Sequence, residues 1–250
     1  MLYRFLILVF LTLPILGCKA TIDANHAHTD AGFVNSGLRS ISTFYIWNTS
    51  NNVIRLLESG KYSANCCQTR AKNTTFTAGS ITNFGVKAEG NAVGYEAEIA
   101  AAVSRNAYIK LANFEEKTAI QPKTDLHDYM NVTGADKIRV QWQLDEAIKP
   151  SSNIRYLKIV RAISATEAEI YYKNQLAVGT EFPVKVANAT IDVEITASSL
   201  NKFEGGTTPA IIEFAVYKVI KTRNANNIIV YRFVDDTDIT DADIATALKN

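Results

Sequence analysis

The chain has 250 residues, 47% of them hydrophobic and 20% charged, a globular composition that excludes a disordered or fibrous chain. Its 26 Lys and Arg against 25 Asp and Glu give a formal net charge of +1, with no basic run. The phosphate attraction that drives nucleic-acid binding needs a cationic surplus, so nucleic acid is excluded as a partner class.

Arg4 precedes an apolar run, residues 5–16, interrupted only by Thr12 and Pro14, and Gly17 and Cys18 follow. That is the layout of a cleaved signal peptide over residues 1–17. An apolar stretch of about twelve residues falls short of the ~20 that a helix needs to cross a bilayer. Pro14 also ends a helix there, because it lacks an N–H and clashes with the preceding turn.

Ile15, Gly17 and Cys18 resemble the lipobox of bacterial lipoproteins: an aliphatic residue three places before a cysteine and a small one directly before it. Leu16 stands where a smaller residue is more usual, and the resemblance covers only residues 1–18. What it implies is a diacylglyceryl thioether on Cys18, with a third acyl chain (palmitate or similar) on its amine. Several long chains anchor far more strongly than one, at ~0.8 kcal/mol per buried methylene. In that family an aspartate after the cysteine favours the inner membrane; Lys19 stands there instead, which implies attachment to the outer membrane.

Residues 18–36 are small and polar and read as a lipidated flexible tether. His26, His28 and Asp30 within it are metal-ligand types, but two strong donors on a flexible segment do not hold an ion against its ordering entropy. Neither metal nor cofactor is expected. Cys66 and Cys67 are adjacent, ~3.8 Å apart at Cα and below the usual disulfide separation. Three readings stand open for them: a strained, redox-labile bond, a link to a second chain, or two small packed side chains.

A β-rich globular domain is expected over residues 37–235. The pattern predicts strands at 41–47, 108–114, 154–163, 167–173, 182–186 and 190–196, with Pro183 marking an edge. Residues 53–58 fit a strand or a helical turn, and the polar excursion 63–80 holds a strand at 74–78. Residues 93–103 alternate as a strand would, yet their alanines and the early Glu96 and Glu98 favour a helix. Residues 137–145, with Ile138, Val140, Trp142 and Leu144 alternating against polar neighbours, read as the clearest strand of the chain. Residues 211–220 and 228–234 are apolar on both faces, as central strands are. Residues 236–250 form a C-terminal helix capped by Asp238 or Thr240; the acidic cluster there lacks the glycine and glutamate of a calcium loop. The fold class is mainly β: antiparallel, sandwich-like sheets with one internal and one C-terminal helix.

Chemistry is sparse. His127 is the histidine of the β body, and no serine elbow accompanies it; a cysteine nucleophile, Cys66 or Cys67, would have to reach it through the fold. Glu96 with Glu98 and Glu167 with Glu169 are carboxylate pairs that a glycosidase would place on different elements. Tyr45, Trp47, Tyr171 and Tyr172 form the candidate binding surface, since such rings pair apolar area with a polar handle. The expectation is a non-catalytic envelope lipoprotein binding an envelope protein or a glycan. A lipid-anchored hydrolase of glycans or peptides is the alternative. An insertion of the body into membranes through residues 93–103 is the third reading.

Overall fold

The computed structural model describes residues 18–35, 41, 43–58, 67–71, 74–124, 126–127, 135–173, 175–176, 181–186, 189–196, 209–227 and 229–249. The chain is mainly β, in several antiparallel sheets with short helices.

The reading of residues 18–36 as a tether is overturned for residues 18–35, the described part of it. Strand β1 (Lys19–Asp23) is paired on both sides, parallel to β15 (Ala189–Thr196) and antiparallel to β8 (Gly85–Glu89). A hairpin follows, β2 (His28–Thr29) and β3 (Gly32–Val34), and β3 pairs with β16 (Pro209–Arg223). The segment thus staples two sheets together. Gly32 takes φ +126, and a Cβ there would sit 2.5 Å from the Ile212 carbonyl oxygen, so only glycine allows this approach. Asp30 Oδ1 accepts from the Gly79 N–H at 2.8 Å, and His28 faces Asp241 at 3.1 Å. The buried side chains here are mainly alanines, Ala20, Ala24, Ala27 and Ala31, joined by Ile22, Phe33 and Val34. Alanines leave little apolar signal in sequence; sheet pairing and the bulk of neighbours such as Val193 and Ile195 hold them.

Sheet order β14-β15-β1-β8 puts β14 (Glu181–Val186) at an edge, where Pro183 needs no ladder donor. A second four-stranded sheet runs β13 (Gln175–Leu176), β12 (Glu167–Tyr172), β9 (Ala107–Ala112), β7 (Thr75–Ala78). The buried faces of both sheets share one aliphatic core that includes Ile22, Val193, Ile109 and Ile170. Helix α1 (Glu96–Ser104) adds Ile99 and Val103 to it, as the helical reading of this segment requires.

In the nine-stranded sheet β16 lies between β11 (Ile154–Ser164), β3 and β17 (Ile229–Asp235). β11 also pairs with β4 (Phe44–Asn48) and β10 (Glu115–Ala119); β5 (Val53–Glu58) extends β4, and β6 (Cys67–Ala71) extends β10. Among the described residues β17 pairs with β16 alone, an edge rather than the central place its apolar residues predict, and Ile229 is 46% exposed. Helices cover both faces of this sheet, so the simple sandwich expectation holds for the two smaller sheets and not here.

The strand predicted at residues 137–145 is helical instead. Helix α2 (Ala135–Gln141) runs to a left-handed Gln143 (φ 56), and α3 (Leu144–Ala147) follows. Ile138 and Trp142, four apart, fall on one helical face, 3% and 0% exposed, whereas Val140 is 75% exposed. A strand would have buried Val140 with them. At the C-terminus α4 (Asp241–Leu248) carries a capping box between Thr240 and Asp243 and buries Ile244, Ala247 and Leu248. Asp236, beside it, is buried in an ion pair with Arg155.

Candidate functional site

The structure sorts the four candidate aromatics. Tyr45 and Trp47 lie on β4 beneath α4, 7% and 1% exposed, and belong to the core; Tyr45 meets Phe214 edge-on at 6.2 Å. Tyr172 points inward from β12, stacks on Phe182 at 4.0 Å, and receives an Asn106 Nδ2 hydrogen bond at 3.4 Å. Tyr171, one residue away, faces out. The alternation of a strand separates the pair into one core ring and one surface ring.

The surface around Tyr171 is the outer face of the β13-β12-β9-β7 sheet. Register places Tyr171 opposite Tyr108 and Glu169 opposite Lys110. The two tyrosine rings stack with centroids 5.4 Å apart and planes 10° apart, and Lys110 Nζ lies 5.5 Å from the Tyr171 centroid. The Tyr171 hydroxyl donates to Glu169. That bond, then desolvation and the Glu169 charge, push the phenol up to about 12 and keep it protonated at neutral pH. Glu167 shares this face, two residues from Glu169. A stacked aromatic pair, an ammonium and carboxylates on one sheet face form an amphipathic platform, the chemistry that a sugar ring or a partner's polar rim fits. The sequence alone places Tyr108 and Lys110 on one face of a strand; it does not reveal that this face meets that of Tyr171, because the register joins residues some sixty positions apart.

The other candidates do not converge. Cys18 is free and half-buried at the entry to β1, its carbonyl accepting from the Asp192 N–H at 2.9 Å. Cys67, at the start of β6 opposite Ala119, is disulfide-bonded and so has no thiolate to offer; Cys66 lies outside the described residues. His127 lines a cavity of about 330 Å³ with Lys123, Thr124, Ile220, Arg232 and their neighbours, and Cys67 is not part of that lining. Glu96 accepts from the Gly94 N–H at the start of α1, where Glu98 turns to another side of the helix. Glu167 and Glu169 lie on one strand and one face, not across a cleft from each other as hydrolytic carboxylates do. Among the described residues no cluster of metal-ligating side chains occurs.

No protein-family model and no curated protein matches the chain. Among solved structures it is similar to a bacterial gasdermin from Bradyrhizobium tropiciagri, at 11% identity over 84% of this chain and 88% of that one, with a TM-score of 0.24. A likeness that slight carries no argument. Among the described residues no helix is long and apolar enough to cross a membrane, which says nothing of crossing by strands.

Proposed function

We propose that the chain is a lipoprotein of the cell envelope, held by lipid on Cys18 at the outer membrane, whose β body is a non-catalytic binding module. The observation that carries the binding role is the accessible Tyr108–Tyr171 stack, framed by Lys110 and Glu169 on the outer sheet face. Rings on an outer face do not contribute to the aliphatic core behind them, and their exposed area is what a partner would cover. An envelope glycan or a protein with a polar rim is the ligand class. The lipobox resemblance supports the address.

The test is photo-crosslinking from position 108 in intact host cells, with mass spectrometry of what is captured, repeated with Tyr171→Ala. Stacking on one aromatic ring contributes about 0.5–1.5 kcal/mol or more. The variant is therefore expected to lose most of the capture while staying folded, the lost cross-strand stack on Tyr108 costing about 0.5–1.5 kcal/mol of stability. Capture that survives Tyr171→Ala, or measurable turnover of a wall glycan or peptide by the purified body, overturns the reading.

A further inference from the structure

We propose that lipid on Cys18 seats the body directly on the bilayer, through the end of the β14-β15-β1-β8 sheet at which β1 begins, with Val93 against the lipid. This rests on the lipoprotein reading above and adds to it the face that meets the membrane. A flexible tether over residues 18–36 would let the body range ~23 Å from its anchor, taking ~5–6 Å per square root of residue number. The observed chain allows no such range. The Cys18 carbonyl is already bonded to Asp192, and Lys19 is paired with Asp192 on one side and Glu89 on the other. One residue spans at most ~3.6 Å, so the thioether would leave the sheet with no spacer.

The direction of departure follows from the pleat. Ala20 and Ile22 face the aliphatic core, and Cys18 has the same parity; its side chain packs half-buried at the mouth of that core, against which Tyr95 also packs. Beside it β8 ends at Glu89 and turns through Gly90–Ala92 into Val93, which is 62% exposed. An apolar side chain in water next to the lipid attachment point is what an interfacial contact requires. Lys19 at this end is paired with Glu181 at 2.7 Å, and Lys185, exposed beside the β14–β15 turn at the same end, offers an ammonium that anionic headgroups attract. The acyl chains supply the affinity; Val93 and the missing spacer set the orientation.

The test uses the full processed protein in phosphatidylethanolamine–phosphatidylglycerol vesicles, with a genetically encoded fluorescent amino acid at position 93 or at position 140. Val140 is the reference because it is 75% exposed on α2, which packs on a different core. Lipids carrying a nitroxide near the headgroup are expected to quench position 93 several-fold more than position 140. Inserting a flexible Gly-Ser spacer of about 18 residues between Cys18 and Lys19 is expected to erase the difference. Equal quenching at both positions, or a difference that survives the spacer, overturns the proposal. Mass spectrometry of the N-terminal peptide separates the two failures. Acyl chains on Cys18 with position 93 in water sink the docking alone, whereas an unacylated Cys18 sinks the lipoprotein reading and the docking with it.

Discussion

Two cores of this molecule are made from different materials. The core between the four-stranded sheets is mainly aliphatic and rich in small residues, with Phe182 and Phe114 as its buried rings: Ala20, Ala78, Ile109, Ile170 and Val193 are each no more than 2% exposed. The core on one face of the nine-stranded sheet is aromatic, with Phe44, Trp142, Tyr156, Tyr217 and Phe233. There Tyr156 meets Phe233 at 5.2 Å and 90°, and its hydroxyl donates to the Trp142 carbonyl at 2.6 Å. Burial pushes the Tyr156 phenol far up, so it remains a neutral donor. Small side chains let two sheets approach closely and leave no room for growth. Rings fill a wider gap and fix their own orientation through edges and hydroxyls. The first core is therefore sensitive to enlargement, the second to truncation.

The largest effect is expected from Trp142→Ala, which removes a fully buried ring that touches Phe44, Tyr156 and Phe233. A loss of about 3–5 kcal/mol in denaturant titration fits a cavity of that size; a loss below about 1 kcal/mol would break the contrast between the cores. Asp236→Asn comes next. Desolvation raises the Asp236 pKa, but the Arg155 hydrogen bond, the Asp238 N–H and the charges of Arg155 and Lys218 outweigh it and leave it below 3.8. The carboxylate thus contributes stability that is fully present above about pH 4 and is lost as pH falls through the lower folded value. Replacing it leaves the Arg155 guanidinium, whose side chain is 20% exposed and which still donates to the Ser152 and Ile154 carbonyls, without its opposite charge, at about 3 kcal/mol. Acid titration of stability checks the sign: the variant should lose less than the parent between about pH 4 and pH 2. Ala20→Leu, in the aliphatic core, is expected to cost about 1–3 kcal/mol by overpacking. A neutral result in thermal melts would show that the sheets have slack there.

The expected mainly β class was legible because alternation marks half-buried strands: Ile191, Val193 and Ile195 on β15 and Ile109 and Leu111 on β9 are buried as the pattern requires. The C-terminal helix was legible through its cap and its acidic first turn. The N-terminal staple was not, because four of its buried residues are alanines and its hairpin depends on Gly32 meeting Ile212 far along the chain. Nor was β10, where Glu115, Glu116 and Lys117 read as surface and the pairing to β11 and β6 decides. Of the candidate site, the sequence could name Tyr171 but not its distant partners Tyr108 and Lys110, since register between strands is a tertiary fact.

The smallest expected effect is also the sharpest on that point. Ile138, Val140, Trp142 and Leu144 satisfy a strand pattern, yet Ile138 and Trp142 equally satisfy the four-residue step of a helix. The tie is broken by what the aromatic core can take: two inward side chains from one turn of α2, then Leu144 after the left-handed Gln143 redirects the chain. Val140 is the residue on which the two patterns disagree. On a strand facing the core, Val140→Lys would bury an unpaired ammonium and unfold the domain. On the exposed side of α2 it should shift stability by no more than about 0.5 kcal/mol, and lysine's higher helix propensity should offset part of even that. A melting temperature within error of the parent, together with a large drop for Trp142→Ala two residues on, is the outcome expected of the helix. A collapse at both positions is the outcome expected of the strand.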